Sequence, residues 1–353
     1  MKAWESNIRK VEPYVPGEQP KVQDVIKLNT NENPYGPSEN VRKAMEAIDI
    51  DRCRLYPDPD VTKLVKSIAD YYGMDNNQVF VGVGSDDVLS MCFLTFFNGK
   101  KPVLFPDITY SFYSVWADLY RIPYEKQKLD DNMKIVPEDY YKENGGVIFP
   151  NPNAPTGLLM DLDSVRDIIE HNKDVVVIVD EAYIDFGGTS ALPLIDKYDN
   201  VLVVQTFSKS RSMAGMRIGY AMAQPELIKY LNDVKYSFNS YTLNSLTIEM
   251  GTAAILDEAY FKKTTQKIIA TRERTKEELR ALGYRMDDSK SNFLFVTHDT
   301  ISMEKLFEDL KKKDIYVRHF SKPERIANYL RITIGTDEEM NTLNTFLKNY
   351  KQS

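Results

Sequence analysis

Residues Val201–Tyr220 read VLVVQTFSKSRSMAGMRIGY. The opening run is continuously apolar and β-branched, the pattern of a strand buried on both faces. It gives way at Thr206 to a hydroxyl and a lysine, Ser208-Lys209, with Arg217 beyond. A second run, Val175–Val179 (VVVIV), ends on Asp180-Glu181-Ala182-Tyr183. Two buried strands that each deliver polar groups at their carboxyl ends predict a mostly parallel α/β sheet. Ligands of such sheets lie in the crevice beyond those ends.

Outward from these two, short apolar runs recur between helical stretches: Gln78–Val83, Pro102–Phe105, Gly146–Phe149 and Arg217–Ala223. The alternation predicts a sheet covered by helices. After Asp257 a long charged stretch runs to Gly283, one helix with a glycine cap. A smaller α+β unit follows: strand Phe293–Val296, helix Met303–Lys312, strands Ile315–Arg318 and Tyr329–Ile334, helix Glu338–Tyr350. Residues 1–40 are rich in turn formers and form an arm that lies on other surfaces, including those of a second subunit. The expected division is a large domain over 41–256 and a small domain over 257–353, to which the arm over 1–40 belongs.

Composition narrows the function. Of 353 residues, 42% are hydrophobic and 27% charged, enough for a sizeable core. Fifty-two acids against 45 bases give a net charge of −7, which disfavours nucleic acid or anionic lipid as partner. Two cysteines make no disulfide framework, no apolar run is long enough to span a membrane, and MKAWESNIRK has no leader core. A cytoplasmic protein with a small-molecule task is expected. His171, His298 and His319 lack ligand spacing, so no metal is expected.

The strand ends carry the chemistry. Lys209 is either a solvated lysine or, partly desolvated near Arg217, an amine that loses its proton readily enough to condense with an aldehyde. Asp180 is either a helix cap or partner of Arg217, or the anion that holds a pyridine nitrogen protonated. Tyr183 packs, or donates to a phenolic oxygen of the same ring. Tyr110 is a core tyrosine or a stacking platform. Gly84-Ser85-Asp86, at a strand-to-helix turn, offers free N–H groups for a phosphate, with Ser208 and Arg217 to assist. Gly82 and Gly84 match a dinucleotide fingerprint only in part, because Asp87 stands where its third glycine belongs.

These residues, in this order, resemble the fold-type I pyridoxal-phosphate aminotransferases, and within them the histidinol-phosphate subgroup. The likeness spans nearly the whole chain: EPYVPG (12–17), LNTNENPYGP (28–37), YPDP (56–59), VGVGSDD (81–87), FPDITYSFY (105–113), FPNPNAPTG (149–157), IVDEAYIDF (178–186), the Thr206–Tyr220 segment, SNFLFV (291–296) and LRITIGT (330–336). The resemblance implies pyridoxal 5'-phosphate on Lys209, with Asp180 on the ring nitrogen, Tyr183 on the phenolic oxygen and Tyr110 stacked on the ring. Gly84, Ser85, Asp86, Ser208 and Arg217 would hold the phosphate, and Tyr56 would reach it from the partner of a homodimer. Tyr14, Asn31, Arg318 and Arg331 would bind the substrates, histidinol phosphate and glutamate or 2-oxoglutarate. The family usually has NPNNPTG where this chain has Ala154, so one donor to the phenolic oxygen is missing, and Asn153, water or Tyr183 alone takes its place. The same parts serve aromatic aminotransferases and threonine-phosphate decarboxylases. A non-catalytic cofactor-binding regulator is disfavoured by the lack of a basic face or DNA-binding extension.

Overall fold

In a computed structural model that describes residues 2–21 and 24–350, the strands are β1 (Ile26–Lys27), β2 (Val79–Gly82), β3 (Val103–Pro106), β4 (Tyr124–Gln127), β5 (Gly146–Pro150), β6 (Val177–Asp180), β7 (Val201–Thr206) and β8 (Gly219–Ala223), then β9 (Phe293–Val296), β10 (Ile315–Tyr316), β11 (Arg318–His319) and β12 (Leu330–Thr333). The large sheet has the order β2-β8-β7-β6-β5-β3-β4. β8 runs antiparallel to both its neighbours and the other pairings are parallel.

Both faces of this sheet are covered, and the pleat divides the apolar residues between them. Val177, Val179, Val201 and Val203 join one core cluster, whereas Ile178, Leu202 and Val204 join the other. Each such side chain, taken fully from water, contributes about 1.5–3 kcal/mol before chain entropy is counted. That is why the run at Val201 contains no polar residue before Gln205, whose buried amide donates to the Glu181 carboxylate at 2.9 Å.

A second unit packs a three-stranded antiparallel sheet, β11-β12-β9, against helices. Helix Glu258–Ala281 supplies Ile268 and Leu279, helix Met303–Lys311 supplies Met303, Leu306 and Leu310, and helix Asp337–Asn349 supplies Met340, Leu343 and Leu347. The eleven-residue spacing in the first helix and the three- and four-residue spacings in the other two place each set on one helix face. The long helix is capped by the Asp257 carboxylate, which accepts from the Tyr260 N–H. It ends at Gly283, whose φ of +89° turns the chain.

Three elements differ from expectation. β4 carries exposed Glu125 and Lys126 at the sheet edge, where charge guards against further pairing, so it has no apolar run to reveal it. The run at Ile315 divides: Ile315 and Tyr316 pair with β1, while Arg318 and His319 pair with β12. β8 starts at Gly219 because Arg217 adopts a left-handed φ of +53°, which no strand accommodates.

Candidate active site

Parallel strands β5, β6 and β7 end on the same rim, and there the expected residues meet. Lys209, Asp180, Tyr183, Tyr110, Ser85, Asp86, Ser208 and Arg217 line one cavity of about 230 Å³ with Tyr14, Asn31, Arg318 and Arg331. Lys209 follows β7 directly. Its Nζ donates to the Thr30 carbonyl at 3.1 Å and lies 5.8 Å from the centre of the Tyr183 ring. Asn33 donates to the carbonyls of Lys209 and Ser210, so the N-terminal segment fixes the lysine's backbone.

Asp180 closes β6 and is only 4% exposed. It does not pair with Arg217. It accepts instead from the Tyr113 hydroxyl at 2.7 Å and from the Ala182 N–H at 3.2 Å. Burial pushes its carboxyl up to about 6, against the lowering effect of those two bonds. A carboxylate in this position meets no cation from the described residues, so the cavity suits a cationic ring nitrogen. Tyr113 was not foreseen as part of the site. It lies in the first turn of helix Phe112–Tyr120, its N–H bonds to the Tyr110 carbonyl, and the two rings meet edge to face with centres 5.8 Å apart.

The phosphate-sized end of the cavity is built at the start of helix Gly84–Phe96, where the first N–H groups lack helical partners. Arg217 spans it, donating to the Asp86 carboxylate at 3.1 Å, to the Ser208 hydroxyl at 3.4 Å and to the Ala214 carbonyl at 3.2 Å. Gly84 has a φ of +83°, and a Cβ there would run into the Arg217 guanidinium. A Cβ on Gly219 would strike the Gly84–Ser85 backbone. Arginine, hydroxyl, helix start and bare glycine together form a cradle for a dianion. The Asp86 carboxylate also accepts from the Tyr110 hydroxyl at 2.6 Å, which steadies that ring at the cavity wall.

At the other end, Arg318 and Arg331 face each other across one rung of β11 and β12. Like charges directly opposite in a sheet repel, so this rung calls for an anion. Arg331 donates to the Asn29 carbonyl at 3.0 Å, yet its buried Nε has no hydrogen-bond partner among the described residues. Burial holds this guanidinium below its ordinary value. Tyr14 reaches the cavity from the arm by stacking on Phe112, with ring centres 4.1 Å apart.

Comparison with known proteins agrees with this geometry. The family model for aminotransferase class I and II matches residues 23–347. The chain belongs to this family. A histidinol-phosphate aminotransferase of Lactococcus lactis subsp. cremoris is 52% identical to this aminotransferase over 348 residues, 99% of this chain and 98% of that one. The solved structure of the histidinol-phosphate aminotransferase from Clostridium acetobutylicum superposes with a TM-score of 0.85 at 24% identity, over 92% of this chain and 98% of that one. Another, from Sinorhizobium meliloti and in complex with pyridoxal-5'-phosphate, gives 0.82 at 22% identity, over 91% and 89%.

Two expected residues stand elsewhere in this aminotransferase. Asn153 does not reach the cavity: it is buried, donates to the Ile108 carbonyl and the Thr156 hydroxyl, and accepts from the Thr109 hydroxyl. Its amide is consumed in shaping the turn, so it cannot replace the donor missing at Ala154, which does line the cavity. Tyr56 is 81% exposed, stacked on Tyr241 at 4.7 Å, and outside its own chain's cavity. No helix among the described residues is long and apolar enough to cross a membrane.

Proposed function

We infer that this aminotransferase exchanges an amino group between L-histidinol phosphate and 2-oxoglutarate, giving imidazole-acetol phosphate and L-glutamate, with pyridoxal 5'-phosphate as cofactor. One observation carries the reading: a lysine amine and a buried, cation-free carboxylate face one cavity that has an anion cradle at one end and two opposed arginines at the other. The full-length likeness to histidinol-phosphate aminotransferases supports the choice of substrate.

Bound there, the cofactor supplies an aldehyde for reversible attachment of amino groups and an electron-withdrawing ring that acidifies the substrate's Cα–H bond. The chain does the rest. Ser85 and Asp86, through their backbone amides at the helix start, would hold the cofactor's phosphate together with the Ser208 hydroxyl and the Arg217 fork. Asp180 would keep the ring nitrogen protonated, because a cation there relieves the desolvation of its own carboxylate. Tyr110 would lie against the ring, and Tyr183 would donate to its phenolic oxygen. Lys209 would anchor the cofactor at rest; once freed, its Nζ would take the proton from the substrate's Cα and deliver it to the cofactor's aldehyde carbon, on the other side of the transferred nitrogen. Arg331 binds the carboxylate of glutamate and, with Arg318, the phosphate of histidinol phosphate, since guanidinium forks suit both anions. Tyr14 closes over that end. Positioning is the chain's main contribution, and a proton moved at a fixed Nζ needs no diffusing base.

The molecule acts as a homodimer in the cytosol, with Tyr56 reaching the cofactor phosphate of its partner. A panel of histidinol phosphate, phenylalanine and threonine phosphate, each with 2-oxoglutarate, tests the substrate. Turnover of histidinol phosphate at least about tenfold above phenylalanine supports the assignment, a selectivity that one anion-binding arginine supplies. Carbon dioxide release from threonine phosphate would replace it.

A further inference from the structure

With Ala154 in place of an amide and Asn153 turned away, Tyr183 is left as the one side-chain donor facing the phenolic oxygen, and its proton must point inward for that. We propose that Thr333 is a positioning residue that fixes the direction of the Tyr183 hydroxyl proton by locking the amide of Asn31. This rests on the assignment of Tyr183 to the cofactor's phenolic oxygen made above.

The bonding leaves one consistent arrangement. The backbone N–H of Asn31, which can only donate, bonds to the Thr333 Oγ1 at 3.0 Å. The Thr333 hydroxyl proton then goes to Asn31 Oδ1, at 3.1 Å. That places Asn31 Nδ2 on the Tyr183 hydroxyl oxygen at 2.9 Å, as donor. A tyrosine oxygen that accepts from an amide keeps its own proton for another acceptor, and Tyr183 lines the cavity. Turning the amide over would put Oδ1 on Tyr183 and draw the phenol proton away from the cavity. It would also leave the Thr333 hydroxyl, 2% exposed, with no acceptor for its proton. Asn31 is itself 1% exposed and held at a φ of +58°, with its carbonyl accepting from Asn292 Nδ2 at 2.9 Å, so the backbone cannot shift to compensate. The charged groups around Tyr183 are Lys209 on the β7 side, Asp180 from β6 and Arg331 from β12. None of them bonds to the Tyr183 hydroxyl, so the Thr333–Asn31 pair alone sets its polarity. The placement follows from the strand: Thr333 lies two residues after Arg331 on β12 and therefore faces the same side.

The experiment is a pH titration of the cofactor's absorbance in the reconstituted enzyme, which reads the proton on the lysine–cofactor linkage independently of turnover. Tyr183→Phe serves as reference and raises the midpoint by about half a unit or more, because a donor to the phenolic oxygen is lost. Thr333→Val raises it by a similar amount, Thr333→Ser leaves it at the wild-type value, and Thr333→Val adds nothing in the Tyr183→Phe background. Asn31→Gly, which suits the left-handed backbone, gives the same rise should the valine variant fail to fold. A shift with Tyr183→Phe but none with Thr333→Val or Asn31→Gly overturns the proposal alone. No shift with Tyr183→Phe overturns both it and the assignment of Tyr183.

Discussion

At the residue scale, Asp180 makes the most exacting prediction. Its carboxyl titrates near 6 in the fold, against an ordinary value near 4, because burial opposes the charge. The cofactor-free native state therefore binds more protons than the unfolded chain between those values. Its stability falls as pH rises through that window and stays lower above it, by on the order of 3 kcal/mol. Asp180→Asn removes the charge without the shape. In cofactor-free protein the variant should match wild type near pH 4.5 and exceed it at pH 8, measured by denaturant unfolding. With cofactor bound the order at pH 8 should reverse, since the ring cation now meets the carboxylate; a variant stabilised equally in both forms would contradict the assignment. Lys209→Ala should lower transamination by roughly 10³-fold or more. Borohydride reduction of the loaded wild type followed by peptide mapping should label Lys209 and no other lysine. Ala154→Asn restores a side-chain amide to the cavity wall and should lower the midpoint of the absorbance titration by about half a unit to one unit. An unchanged midpoint would mean that the donor network around Tyr183 is already sufficient.

At the scale of elements, much was readable because the groups that do the chemistry sit where buried strands stop. A run such as Val201–Gln205 has no choice but to be covered on both faces, so the residues that follow it emerge together at the rim. Lys209, Asp180, Tyr183, Arg217 and the Gly84 turn were placed in this way. Other parts were not legible for equally physical reasons. β4 is an edge strand and carries charge by necessity. The Asn153 side chain is spent inside its own turn, which the motif alone does not disclose. The Asn31–Thr333 pair joins positions far apart in sequence, and only the packing of the arm against β12 brings them together. The glycine cradle supplies the prediction proper to this scale. Gly84→Ala places a methyl group against Arg217 and puts a side chain on a left-handed backbone, while leaving every donor of the cradle in the chain. It should raise the dissociation constant of pyridoxal 5'-phosphate at least about tenfold, equivalent to about 1.4 kcal/mol. Equilibrium dialysis measures it, and retained helix content by circular dichroism separates it from misfolding.

At the scale of the whole molecule, the cavity draws on distant parts of one chain and leaves one aromatic outside. Tyr56 and Tyr241 are stacked in the open, and Ile50, Leu55, Phe238 and Leu256 are exposed large apolar side chains as well. Exposed large apolar side chains of this kind are what the surface of a second copy would cover. The loop that carries Tyr56 is held firmly for a surface turn: Asp58 accepts from the N–H groups of Asp60 and Thr62, Tyr236 bonds to Asp60, and Lys235, 3% exposed, bonds to the Pro59 carbonyl. Rigid presentation of an outward tyrosine has a purpose if a second copy receives it. Two-fold symmetry then makes each site a composite, with Lys209 from one subunit and Tyr56 from the other. Mixing tests this without any structure of the dimer. Lys209→Ala homodimers have no working site, and Tyr56→Ala homodimers should bind cofactor weakly and be largely inactive at limiting pyridoxal 5'-phosphate. After the two are unfolded and refolded together in equal amounts, half the dimers are mixed. Each mixed dimer pairs an intact Lys209 with an intact Tyr56 in one of its two sites. Activity at limiting cofactor should therefore recover to about a quarter of wild type, the fraction that isologous pairing dictates. Were Tyr56 to serve its own chain, the mixed dimers would hold no site with both residues, and mixing would restore nothing.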